Sequence, residues 1–214
     1  PSRIWRGSGR SPKGDISWRP STRKERQHVD ARLWPTLADA VAMLDARGIG
    51  CAVIGGLAVS LRGLPRMTVD VDLVIHADVN DGLRIVRDLS LTPFLPLFDG
   101  VEEVVTSAFI LPLRHRTTGV RVDLAIGMSG FERDAVRRAT PVAVGDVRLP
   151  VVSIEDLLVM KALAGRPQDE ADIRGLVDVQ RGLIDWDRCL STAQSLGHAI
   201  DVDIAGKLKA AREA

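Results

Sequence analysis

Gly55-Gly56-Leu57-Ala58-Val59-Ser60-Leu61-Arg62-Gly63-Leu64-Pro65-Arg66-Met67-Thr68-Val69-Asp70-Val71-Asp72-Leu73-Val74-Ile75 is the stretch whose reading decides the fold. An apolar strand, Cys51 to Ile54, leads into it. The double glycine reads as a turn, the residues after it as a short helix, Pro65 as a bend, and the remainder as a second strand. Successive side chains of a strand alternate between faces, so Asp70 and Asp72 share one face. Val69, Val71 and Leu73 point to the other, toward a core. Aspartate is depleted in strands, and two on one face need a cause. Two carboxylates ~5 Å apart repel by roughly 3 kcal/mol at an effective dielectric of ~20. Solvent, a basic partner, a shared proton or a metal ion has to offset that repulsion. Oxygen-rich carboxylate sites suit Mg²⁺, which keeps waters and binds substrate phosphates. A Gly-Gly turn feeding a helix N-terminus offers backbone N–H groups to a phosphate. Together these features point to metal-assisted phosphoryl or nucleotidyl transfer.

Gly55-Gly56 followed by Arg66-Met67-Thr68-Val69-Asp70-Val71-Asp72 resembles the first motif of the DNA polymerase β-like nucleotidyltransferases. It is most similar to the AbiEii-type nucleotidyltransferase toxins of bacterial toxin–antitoxin systems. Many superfamily members carry Gly-Ser at the turn; Gly-Gly is common in the AbiEii branch. A second stretch, Gly119 to Ile126, alternates Val120, Val122, Leu124 and Ile126 with Arg121, Asp123 and Ala125. It reads as a strand with one aspartate on its polar face, either a surface residue or a site residue. The resemblance implies that Asp123 is the third carboxylate, on a strand beside the first two. The run Lys161-Ala162-Leu163-Ala164-Gly165-Arg166-Pro167-Gln168-Asp169-Glu170-Ala171-Asp172 is similar to the family's C-terminal motif. Asp169 and Asp172 are three apart and share a helix face. Their negative charge suits the first turn of a helix in any case, and a structural ion-pair cluster is the plainer reading. Lys161 reads either as a surface lysine extending outward or, by the resemblance, as a contact to nucleotide phosphates.

Composition narrows the alternatives. The 214 residues suit one domain with a helical appendage, and 45% hydrophobic residues supply a core. Only 4% are aromatic and none is tyrosine, so stacking platforms for single-stranded nucleic acid are sparse. The net charge of +1 by itself implies no polyanion partner. Residues 1–28, however, hold eight Lys/Arg and two acidic residues, net +6, which leaves −5 for the rest. This basic arm reads either as a leader without function or as an electrostatic contact to RNA phosphates. Cys51 and Cys189 form neither a disulfide framework nor a zinc pattern, and a reducing cytoplasm is expected. No apolar run is long enough to span a bilayer, and no signal-peptide hydrophobic region follows the basic arm. The start at Pro1 reads as trimming or a fragment.

Elsewhere the spacing predicts a helix over Leu33–Arg47, ended by Gly48 and Gly50, and another over Asp78–Leu89 capped by Asp78 or Asn80. Leu91 to Phe98, with Pro93 and Pro96, reads as irregular, and Val104–Leu113 as a strand. Leu113-Arg114-His115-Arg116 reads as a basic, solvated loop. Val142–Val144 and Val147–Leu149 around Gly145-Asp146 suit a two-residue hairpin. Ser153-Ile154-Glu155-Asp156 opens a helix that ends at Gly165. Further helices are expected from near Gln168, over Asp185–Leu196 and over Asp201–Arg212.

The expected architecture is α+β: a basic arm (1–28), a polymerase β-like nucleotidyltransferase core of mixed sheet and flanking helices (29–152), and a C-terminal helical region packed on it (153–214). The resemblance implies that Asp70, Asp72 and Asp123 hold two Mg²⁺ ions, with Mn²⁺ as a substitute. It implies that Gly55, Gly56, Arg66, Thr68, Lys161, Asp169 and Asp172 form or support the nucleotide site, Lys161 counting also among the catalytic residues. The implied reaction moves a nucleoside monophosphate from an NTP to an RNA (tRNA) 3′ end or a protein hydroxyl, with toxic consequence and a cognate antitoxin. The competing readings are a catalytically inactive nucleotide- or partner-binding module, and RNA binding by the basic arm alone.

Overall fold

The computed structural model describes residues 30–144 and 147–213. The basic arm and the Gly145-Asp146 turn lie outside them. Within the described residues, seven strands form one mixed sheet: β1 (Cys51–Val53), β2 (Asp70–Ile75), β3 (Phe94–Pro96), β4 (Ile110–His115), β5 (Arg121–Ile126), β6 (Thr140–Val144) and β7 (Val147–Val151). Their order across the sheet is β3-β4-β5-β2-β1-β7-β6. β2 runs parallel to β5 and β1 parallel to β7, while the remaining neighbours are antiparallel. The α+β architecture expected from the sequence is therefore the one observed.

The helices are α1 (Leu33–Asp45), α2 (Gly55–Leu61), α3 (Val79–Arg87), α4 (Val101–Ser107), α5 (Gly130–Arg137), α6 (Ile154–Ala164), α7 (Pro167–Val179), α8 (Trp186–Ile200) and α9 (Ile204–Glu213). Their starts follow from capping chemistry. Asp78 and Asp81 form a reciprocal capping box at α3, as Ser129 and Glu132 do at α5. Ser153 accepts the Asp156 N–H at the start of α6, and Pro167 occupies the first turn of α7, where its missing N–H costs nothing. Gly165 ends α6 in the left-handed conformation.

One face of the sheet carries Val71, Leu73, Leu111, Leu113, Val122 and Leu124, all fully buried. Helices α1 and α3 lie on this side: Asp39 of α1 bonds the buried His115 on β4, and Gly82 of α3 packs on the Ile126 side chain. Here His115 Nδ1 accepts the Thr118 N–H at 3.1 Å. The ring proton therefore sits on Nε2, aimed at the Asp39 carboxylate 2.9 Å away. The other face carries the aspartates. α6 packs beside α2 and against α7, α8 and α9, and is buried on nearly every side. No helix among the described residues is long and apolar enough to cross a membrane.

Four local expectations are corrected. Val104–Leu113 is not one strand: α4 occupies Val101–Ser107, and the chain turns into β4 at Ile110. Leu91–Phe98 contains a short edge strand, β3, and an edge is where Pro93 and Pro96 are tolerated. Leu113-Arg114-His115 belongs to β4 rather than a loop, and His115 is buried. Val69 is also not a core residue, because β2 starts one position later and leaves it 70% exposed.

Candidate active site

The parallel pairing of β2 with β5 sets Asp70 opposite Arg121 and Asp72 opposite Asp123. Register partners in neighbouring strands point to the same face. Three carboxylates and one guanidinium thus form a compact square on the face opposite the core. Asp72 is only partly exposed. Burial first, and the Asp70 and Asp123 carboxylates next, push its carboxyl up to about 6, against the opposing pull of Lys161 and Arg121. Among the described residues, no side-chain or backbone donor hydrogen-bonds the Asp72 carboxylate. Asp70 accepts from the Thr68 hydroxyl at 3.1 Å. Asp123 takes a two-pronged contact from Arg121, with Nε 2.9 Å and Nη2 2.8 Å from its two oxygens.

Gly55 and Gly56, which the sequence suggests as a turn ahead of the helix, are the first residues of α2 and close over this group. Gly55 has φ +64°, and a Cβ built there would collide with the Asp72 carboxylate. Only glycine allows both the backbone conformation and the close approach. A Cβ on Gly56 would lie 3.1 Å from Thr68 Oγ1 and 3.3 Å from the Arg66 guanidinium carbon. Gly55, Gly56, Arg66 and Thr68 therefore meet at one end of β2.

The C-terminal motif joins them. Arg66 Nη1 lies 2.6 Å from Asp172 Oδ2. Lys161 Nζ bridges Asp169 at 2.8 Å and Asp172 at 2.9 Å, with its side chain only 5% exposed. It does not extend outward like a surface lysine. Its ammonium is held instead by two buried carboxylates. Burial alone would raise the Asp169 carboxyl, but hydrogen bonds from Arg166 and Lys161 overcome this and hold it at about 2. Arg166 contributes its Nε at 2.6 Å from Asp169. Three cations thus face two carboxylates, a surplus of one positive charge whose field reaches Asp72 through Lys161.

Every candidate residue from the sequence enters this one connected cluster. Two contributors were not singled out in advance. Arg166 was visible within its motif but had no assigned role. Arg121 was visible only as a polar position alternating with Asp123.

The donor set fits a divalent cation. A carboxylate without a donor, raised by two like neighbours and roofed by a turn that excludes any side chain, is a place where a hard cation relieves repulsion. Among the described residues no three acidic, His or Cys side chains converge into a ready cage, and Arg121 engages Asp123.

The family model "Nucleotidyl transferase AbiEii toxin, Type IV TA system" matches residues 39–194. No curated protein is matched by the chain. Among solved structures, an antigenic nucleotidyltransferase-like protein from Paracoccidioides brasiliensis is similar at 20% identity and TM-score 0.51, with 83% of this chain and 92% of that chain covered. The lincomycin-bound lincosamide antibiotic adenylyltransferase LnuA gives 12% identity and TM-score 0.45, over 74% of this chain and 98% of its own. The Thermotoga maritima CCA-adding enzyme complexed with tRNA gives 16% and 0.40, over 81% and 44%.

Proposed function

The chain belongs to the AbiEii nucleotidyl transferase toxin family, and on that premise we propose that it moves a nucleoside monophosphate from an NTP to an acceptor hydroxyl with the help of Mg²⁺. The observation that carries this is Asp72 facing Asp123 across β2 and β5, with Asp70 two residues along and no donor on the Asp72 carboxylate. Asp70, Asp72 and Asp123 would hold the metal. Bound there, two Mg²⁺ ions supply Lewis acidity at the attacking and leaving oxygens. The chain's own residues do the rest. Gly55 and Gly56 present the backbone to the phosphates, and Thr68 orients Asp70. Arg66 and Lys161, locked by Asp169 and Asp172, direct positive charge toward the triphosphate. The acceptor attacks the α-phosphate in line and pyrophosphate leaves.

The acceptor in this reading is an RNA (tRNA) 3′ end or a protein hydroxyl, and the biological role is that of a cytoplasmic toxin with a cognate antitoxin. Family membership supports it. An inactive binding module would have no use for three carboxylates kept together against their mutual repulsion.

The test incubates the protein with each labelled NTP, Mg²⁺ and total RNA or protein extract, beside Asp123→Asn. Label should pass to one acceptor class. The Asp123 variant should lose transfer while keeping most of its NTP affinity, because Asp70 and Asp72 remain. Equal loss of both, or no loss of rate, removes Asp123 from the site.

A further inference from the structure

Arg114 on β4 and Arg121 on β5 are direct cross-strand partners, and Asp70 follows Arg121 on β2. Asp70, Arg121 and Arg114 therefore form one row on the aspartate face, next to the row of Asp72, Asp123 and Pro112. Like charges set directly opposite each other weaken a sheet. Packing does not explain this pair, since both arginine side chains are exposed. Arg114 donates to the Gly119 carbonyl at 3.1 Å and, among the described residues, has no carboxylate within ion-pair distance. Arg121 spends its fork on Asp123.

These facts belong together. The fork of an arginine fits a phosphate as well as it fits a carboxylate. Neighbouring strands lie ~4.8 Å apart, so both guanidiniums can reach a single phosphate-sized anion. Resting on the reading that the aspartates bind a divalent cation, we propose that Arg121 is an exchangeable counter-ion. It holds Asp123 while the cation is absent and releases it when the cation binds. It then holds a phosphate group of the substrate jointly with Arg114. Arg121 is a positioning residue in the first state and a substrate contact in the second. Cation and Arg121 compete for the same oxygens, so cation binding and anion binding are coupled, each strengthening the other.

Mn²⁺ titrated by calorimetry into the metal-stripped full chain tests the exchange. Arg121→Ala should bind Mn²⁺ about tenfold more tightly than wild type, because its competitor is gone. Arg121→Lys, which keeps the charge but not the fork, should gain only about threefold. Arg114→Ala should stay within about twofold, as an exposed charge acting at a distance. Inorganic pyrophosphate is then titrated at saturating Mn²⁺. Both alanine variants should bind it about tenfold more weakly, the opposite sign to the Mn²⁺ effect. A merely structural Arg121 cannot tighten one ligand and loosen the other. Wild-type Mn²⁺ affinity in both Arg121 variants overturns the exchange while leaving the metal site standing. Undiminished pyrophosphate affinity in both alanine variants overturns the shared phosphate contact. No Mn²⁺ binding in any protein removes the metal site itself, and the exchange with it.

Discussion

The Arg66 guanidinium lies 2.6 Å from the Asp172 carboxylate, a bridge between residues 106 positions apart. It ties the approach to β2 to the second helix of the C-terminal region. Lys161 shares the same carboxylate at 2.9 Å. The helical region is thus coupled to the carboxylate strands by charge as well as by packing.

Asp70→Ala and Asp72→Ala should each abolish nucleotide transfer. Neither should lower the stability of the metal-free protein, because each removes one member of a mutually repelling set. Melting in chelator and transfer assays in Mg²⁺ check the two halves. Near-wild-type transfer by either variant would sink the metal assignment.

The pH dependence follows from Asp72. Its carboxyl is raised from 3.8 to about 6, so the folded chain binds this proton more tightly than the unfolded chain. The associated stability is present at low pH and is lost as pH rises between those two values. Asp72→Asn keeps an uncharged side chain at every pH. Its advantage over wild type in metal-free buffer should grow by on the order of 1–3 kcal/mol from about pH 4 to about pH 7. Denaturation curves across that range measure it, and parallel profiles would mean that Asp72 titrates like an exposed carboxylate.

Gly55→Ala carries a double penalty. The left-handed backbone costs a non-glycine residue roughly 1–2 kcal/mol, and the new methyl group displaces the Asp72 carboxylate. Stability and Mn²⁺ affinity should fall together. A stability loss with unchanged Mn²⁺ binding would limit Gly55 to shaping the turn.

Lys161→Ala should destabilise the fold by about 1.5–3 kcal/mol, the worth of a charge-assisted contact, since it leaves Asp169 to Arg166 and Asp172 to Arg66. Adding Asp169→Asn should recover part of that loss. If Lys161 also serves the triphosphate, the double variant should still bind NTP about 10- to 150-fold more weakly, the worth of one charge-assisted contact. Recovery of affinity together with stability would make Lys161 a structural residue alone.

The carboxylate cluster is legible because strands write their faces into the sequence. Alternation sets Asp70 and Asp72 on one face and Asp123 on the polar face of its own strand, the resemblance sets the two strands side by side, and capping residues mark the starts of α3 and α6. Misreadings came where tertiary context overrode local preference. α4 is rich in β-branched valine and reads as strand, yet Val101 and Val105, one turn apart, bury a helical face. Lys161 was ambiguous because α6 is buried almost all round, which erases the polar face that would have oriented it. Arg121 escaped notice because its meaning lies in register. Only the β2–β5 and β4–β5 pairings set it between Asp70 and Arg114.

The split of the cluster along the chain has a consequence for synthesis. All three carboxylates and Arg121 precede residue 124, whereas Lys161, Arg166, Asp169 and Asp172 lie beyond residue 160. A growing chain therefore completes its acidic strands well before Lys161, the cation of the later segment whose field reaches Asp72, leaves the ribosome. Until then Arg121 is, among the described residues, the cation paired with the carboxylate square. An emerging chain of this kind has its acidic strands before Lys161 and the carboxylates that hold it, and the cluster is complete only once Asp172 has been made.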